Sequence, residues 1–73
     1  MPTPVPHARE RMEERGVTDE DIRLALSRRQ GAPTVGNNGR IVVFGYASRG
    51  RILKIVLSPD EQAIISVMWP DED

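Results

Sequence analysis

β-Branched and aliphatic residues crowd two runs near the end of the chain, Arg51–Ser58 and Gln62–Trp69, with Ser58-Pro59-Asp60-Glu61-Gln62 between them. The runs predict two strands, and Pro59 and Asp60 supply the chemistry of a tight turn. Pairing Ser58 with Gln62 puts Leu53, Ile55 and Leu57 on one face with Ala63, Ile65, Val67 and Trp69, and sets Lys54 opposite Ser66 on the other. A third run, Arg40–Ala47, predicts another strand, turned into the hairpin by Ser48-Arg49-Gly50. A four-residue connection, Ser48–Arg51, adds Val42, Phe44 and Tyr46 to the Leu53 and Trp69 face, gathering the large side chains in one core. Asn38-Gly39 is a hairpin-turn signal, and Pro33–Gly36 before it reads as a short edge strand.

The first half of the chain has helical spacing. Residues 1–5 are a Pro-rich extended lead-in, and Pro6 suits the first turn of a helix. Helix formers then run to Arg15, and Gly16 supplies the stop. Ala8 and Met12, with Val5 before them, make a narrow apolar stripe. The second helix, Asp19–Arg29, starts at the N-cap Thr18 with Asp21 as its capping-box acid, and Val17 and Ile22 are placed as a hydrophobic staple. Ile22, Ala25, Leu26 and Arg29 form its inner face, Arg28 and Arg29 favour its last turn, and Gly31 ends it. The predicted fold class is α+β: two N-terminal helices packed on one face of a three- or four-stranded antiparallel β-meander. The other face is then left open, carrying Ile41, Val43, Ile52, Val56, Ile64 and Met68 around Gly45, Lys54 and Ser66. Such an exposed patch implies a partner. Ile52, Val56, Ile64 and Met68 are its candidate interface, with a homodimer as the expected use.

Seventy-three residues make one domain, close to the size at which a single core is barely sufficient. The absence of cysteine excludes disulfide staples and thiolate chemistry, and a cytoplasmic protein fits that best. The start, Met-Pro-Thr-Pro-Val-Pro-His, lacks the features of a signal peptide, and no apolar run approaches the ~20 residues of a membrane span. The net charge is −1, but nine of the ten basic residues are Arg, and only Lys54 departs from that pattern. Arg favours forked recognition of phosphate or carboxylate. Acids gather at Glu10–Asp21, in Asp60-Glu61 and in Asp71-Glu72-Asp73.

His7 is the one residue of a type suited to proton transfer near neutrality. Arg11 and Arg15 follow it along one side of the helix, so the three could serve a phosphoryl centre. An exposed histidine with no role is the plainer reading. A metal held by His7 with Glu10 or Glu14 would rest on a single imidazole, and neither a metal nor a cofactor is expected. No Gly-rich phosphate loop, nucleophile elbow or triad pattern occurs.

His7-Ala8-Arg9-Glu10-Arg11-Met12-Glu13-Glu14-Arg15-Gly16-Val17-Thr18 resembles the opening of the small bacterial family catalogued as domain of unknown function 4258. Lys54-Ile55-Val56 and Ile65-Ser66-Val67 are similar to that family's later strands. The family is similar in layout to RelE-like and BrnT-like ribonuclease toxins, although this chain lacks a final helix and is acidic overall. The resemblance implies His7, Arg15, Lys54 and Ser66 as catalytic candidates and Arg11, Arg49 and Arg51 as RNA-binding ones. It implies RNA cleavage by 2′-hydroxyl attack and a cognate inhibitor protein as partner. Asp71–Asp73 should then lie away from the site, because carboxylates repel RNA. A non-catalytic interaction or dimerisation module using the open face is the alternative.

Overall fold

The structure is a computed structural model that describes residues 1–36 and 38–71. It is α+β, with the order β1 (Thr3–Pro4), α1 (Pro6–Arg15), α2 (Asp19–Ser27), β2 (Thr34–Val35), β3 (Ile41–Tyr46), β4 (Ile52–Leu57) and β5 (Ala63–Met68). The helix signals act where the sequence places them. Pro6 opens α1, and Gly16 ends it in the left-handed region at φ 67°. Thr18 and Asp21 form a complete capping box at the start of α2, and the staple residues Val17 and Ile22 are both buried. α2 stops at Ser27, two residues short of the expected end. Arg29 is instead in extended backbone, in an isolated bridge with Gly45, where Gln30 N–H donates to Phe44 and Tyr46 N–H to Arg28.

The sheet has five strands in the order β1-β5-β4-β3-β2 and is mixed, not a purely antiparallel meander. The added strand is the Pro-rich lead-in. Thr3 and Pro4 pair parallel to Ala63 and Ile64, with Thr3 N–H donating to Gln62 and Val5 N–H to Ile64. Proline is tolerated there because β1 is an edge strand. At the other edge β2 is two residues long, and Gly39 takes the positive φ of its hairpin with β3.

Two registers differ from the sequence reading. β3 and β4 close on Tyr46–Ile52, not Ala47–Ile52, so Val43 faces Ile55 and Gly45 faces Leu53. That one-residue slip exchanges the faces of β3: Val43, Gly45 and Ala47 are buried, while Val42, Phe44 and Tyr46 look out. The cause is the close seating of α2 on β3. A Cβ on Gly45 would lie 1.9 Å from the Ala25 carbonyl oxygen, so only a small residue can face the helix there. In the second hairpin Ser58 N–H donates to Ala63, and a bulge opposes Leu57 to Ile64 but Val56 to Ser66. Lys54 therefore pairs with Met68, not Ser66, and Ile64 turns inward with no exposed surface.

α1 lies over β5 and α2 over β3. Between them Ala8, Met12, Ile22 and Ala25 meet Val43, Leu53, Ile55, Leu57, Ile64, Val67 and Trp69 in one core. Every member belongs to the helix-facing side. Among the described residues no layer covers the opposite face.

Candidate functional site

The four catalytic candidates are divided by the sheet. His7 stands on the first turn of α1 with most of its side chain in solvent, and its Nδ1 lies 3.7 Å from Glu10. Arg15 is eight residues further along the same helix, about 12 Å by helical rise. Lys54 and Ser66 project from the open face, on the far side of a sheet whose inner face is covered by that helix. Proton transfer needs hydrogen-bond reach, so these residues do not assemble one centre in this structure.

Arg15 has a structural task instead. Its Nη1 donates to the carbonyl of Val67 at 2.9 Å, and its own carbonyl accepts from Trp69 Nε1 at 2.7 Å. Val67 lies beyond the reach of the short β1, so the guanidinium covers a stretch of strand edge that would otherwise offer itself to another chain. Arg15→Ala should lower Tm by about 4–8 °C, the equivalent of ~1 kcal/mol in a domain of this size, measured by thermal circular dichroism.

Two neighbourhoods hold the remaining candidates. The first is the open face, with Val42, Phe44 and Tyr46 on β3, Ile52, Lys54 and Val56 on β4, and Ser66 and Met68 on β5. Tyr46 and Met68 are 37% and 39% exposed, and the others are half-buried against one another. No residue of this face is acidic, and Lys54 is its single charge. Three of the expected interface residues, Ile52, Val56 and Met68, belong to it, and the core residue Ile64 does not. Phe44 and Tyr46 were missed. The alternation of small Gly45 and Ala47 with large Phe44 and Tyr46 was the signal for them.

The second neighbourhood is a cleft of about 260 Å³ on the helix side, lined by Gly16, Thr18, Asp21, Ser48, Arg49, Arg51 and Trp69. Asp21 ties its walls together. Its carboxylate accepts from Thr18 N–H at 3.0 Å, from Ser48 N–H at 3.1 Å and from the Ser48 hydroxyl. Burial alone would raise the Asp21 carboxyl, but these hydrogen bonds outweigh it and hold the group below its ordinary range. Arg51 stacks 4.0 Å over the Trp69 ring and lies 3.6 Å from Asp71. Asp71 thus sits beside one of the proposed RNA-binding arginines; the expectation that Asp71–Asp73 lies away from the catalytic candidates falls partly on Glu72 and Asp73, which lie outside the described residues. Arg49 is exposed at the cleft mouth, whereas Arg11 is paired with Glu14 on α1.

Among the described residues no cluster of three or more His, Cys, Asp or Glu could hold a metal ion, and no helix is long and apolar enough to cross a membrane. The model of one family, described as Domain of unknown function (DUF4258), matches residues 6–69. No curated protein and no solved structure matches the chain.

Proposed function

The chain belongs to the DUF4258 family, and from that premise we propose that it is a non-catalytic interaction module whose open sheet face takes a partner protein. The observation that carries this reading is an acid-free apolar face with Tyr46 and Met68 standing out of it. Its make-up is that of an interface core, in which Tyr, Phe and Met are enriched and charges are few.

Two features select a different protein over a second copy of this chain. Strands of six residues make the central face about 20 Å long and 15 Å wide, or ~300 Å² in plan. Two flat faces of that size fall well short of the ~800 Å² per partner of a stable complex. A two-fold pairing would also trap Lys54 from both copies with no carboxylate from either face, and unpaired buried charge is strongly unfavourable. An amphipathic segment that wraps the face and offers Lys54 an acid meets both demands. The cognate inhibitor implied by the sequence resemblance is a partner of this kind.

Sedimentation and affinity capture from the expressing cells test the reading together. The protein alone should sediment as a monomer at hundreds of micromolar. Val56→Glu should keep its Tm yet lose a partner that the parent retains, and Lys54→Gln should weaken that capture. A dimer of the parent dissociated by Val56→Glu would assign the face to self-association instead.

A second reading lays single-stranded RNA on the same surface, with Phe44 and Tyr46 as stacking rings and Lys54 as a cation. The RelE-like or BrnT-like ribonuclease role goes with this reading. RNA cleavage by the purified protein, abolished in Lys54→Ala, would favour it over the interaction module.

A further inference from the structure

Given the interaction-module reading of the open sheet face, on which this inference rests, we propose that the partner is an acidic amphipathic helix. Three cations recognise it: Arg28, Lys54 and Arg40.

The two arginines extend the face beyond its strands. The isolated bridge opposes Arg29 to Gly45, which faces the helices, so alternation puts Arg28 beside Tyr46 on the open side. Tyr46 N–H donates to the Arg28 carbonyl at 3.1 Å, which pins that position. At the other end of β3, Ile41 packs against the core, so Arg40 before it falls on the open side. Its backbone is held as well: its N–H donates to Asn38 Oδ1 at 3.1 Å, and its carbonyl accepts from Gly36 N–H at 2.8 Å. Both arginines are exposed, and among the described residues none of the three cations has an acidic partner. Asp60, in the turn after β4, is engaged by the Ser58 hydroxyl and Gln62 N–H.

The spacing of the cations selects the shape of the partner. From Tyr46 to Arg40 is six residue steps along β3, or about 20 Å, and Lys54 lies between them, opposite Phe44. A helix covers ~20 Å in about 13 residues, so one helix with acids near its ends and between them meets all three. A helix is also the layer that this side of the sheet lacks, and its apolar stripe would cover Val42, Ile52, Val56 and Met68. Those aliphatic side chains give bases nothing to stack on, and a second apolar surface matches them better than ribose and phosphate do. A helix is therefore preferred over single-stranded RNA.

Two synthetic helical peptides of about 18 residues, longer than the ~20 Å span requires, decide it. They share a leucine stripe, and one carries glutamates where the other carries glutamines. Titrated into the full chain at low salt, the glutamate peptide should bind more tightly, although the chain's net charge of −1 opposes it. Arg28→Gln and Arg40→Gln should each weaken its binding about two- to five-fold, the worth of an exposed ion pair. Together they should weaken it about four- to twenty-five-fold, because sites so far apart act independently. Both variants should keep their Tm and bind the glutamine peptide as the parent does. Added salt should remove most of the difference between parent and double variant. Val56→Gln, which adds no charge, should weaken both peptides. If it weakens neither, the open face is not the docking surface, and the interaction-module reading falls with the helix. If it weakens both while the arginine variants change nothing, the cations fall and that reading stands. The acidic helix is also overturned if neither peptide binds, if the glutamine peptide binds as tightly as the glutamate one, or if oligouridylate binds more tightly than either.

Discussion

Gly45→Ala should remove most of the folding stability of this protein. The added methyl would sit 1.9 Å from the carbonyl oxygen, 2.6 Å from the carbonyl carbon and 2.9 Å from the Cα of Ala25. These are backbone atoms of α2, so no rotamer change can relieve the clash. β3 cannot retreat either, since β4 pairs with it on one side and the Arg28–Gln30 segment on the other. The helix must therefore lift from the sheet, separating Ile22 and Ala25 from Val43 and Leu53. Overpacking of this kind costs up to ~3 kcal/mol or more, against the ~3–5 kcal/mol that a core of this size supplies. Gly16→Ala is the informative control, with no atom within 4 Å of its Cβ and only a positive φ of 67° to oppose it. That change should cost ~1 kcal/mol. Urea unfolding followed by Trp69 fluorescence separates the two, and a Gly45→Ala variant as stable as Gly16→Ala would mean that α2 does not seat so closely.

The same contact explains what could be read in the sequence and what could not. Helix positions were legible because their signals are local: Pro6, Gly16, Thr18 and Asp21 each act within four residues of themselves. Strand existence was legible because aliphatic runs have few alternatives. Register was not, because β3 has apolar side chains on both faces and hydrophobicity alone cannot choose between them. The choice falls to Gly45 meeting Ala25, a contact between residues twenty positions apart. The bulge at Ile64 and Ile65 moved the second register in the same way, turning an expected interface residue into core. Thr3 and Pro4 became a strand through a parallel partner about sixty residues away, which no local pattern announces.

The site was legible only by residue type. His7 and Arg15 share a helix, but sequence spacing does not say which side of a sheet that helix covers. Arg15 looked chemical because arginine binds anions, yet its Nη1 donates to a strand carbonyl. Asp21 was read as a cap and serves as one, while its second bond, to Ser48, needed the β3–β4 turn to arrive from elsewhere in the chain. That bond joins two walls of the cleft.

Asp21→Asn should destabilise the protein by ~2–3 kcal/mol, although it changes no volume. The carboxylate receives Thr18 N–H on Oδ2 and Ser48 N–H and hydroxyl on Oδ1. Asparagine offers one acceptor oxygen, so its NH₂ must point at one of those donors, leaving a buried N–H unmatched. A lost cap and an unsatisfied donor are each worth about 1–2 kcal/mol. The pH dependence identifies the charge as the cause. Hydrogen bonding holds the folded carboxyl of Asp21 below its unfolded value, despite burial acting in the opposite direction. Its contribution is therefore complete above the ordinary carboxylate pKa of about 3.9 and is lost as pH falls through the lower folded value. Asp60, held down by Ser58 and Gln62, titrates in the same direction in parent and variant alike and cancels in the difference. The stability gap between parent and Asp21→Asn should be flat from pH 7 to about pH 5 and narrow steadily below pH 4. Paired urea melts across that range measure it, and a gap that stays constant down to pH 2 would show that the Asp21 charge does not lock the β3–β4 loop to α2.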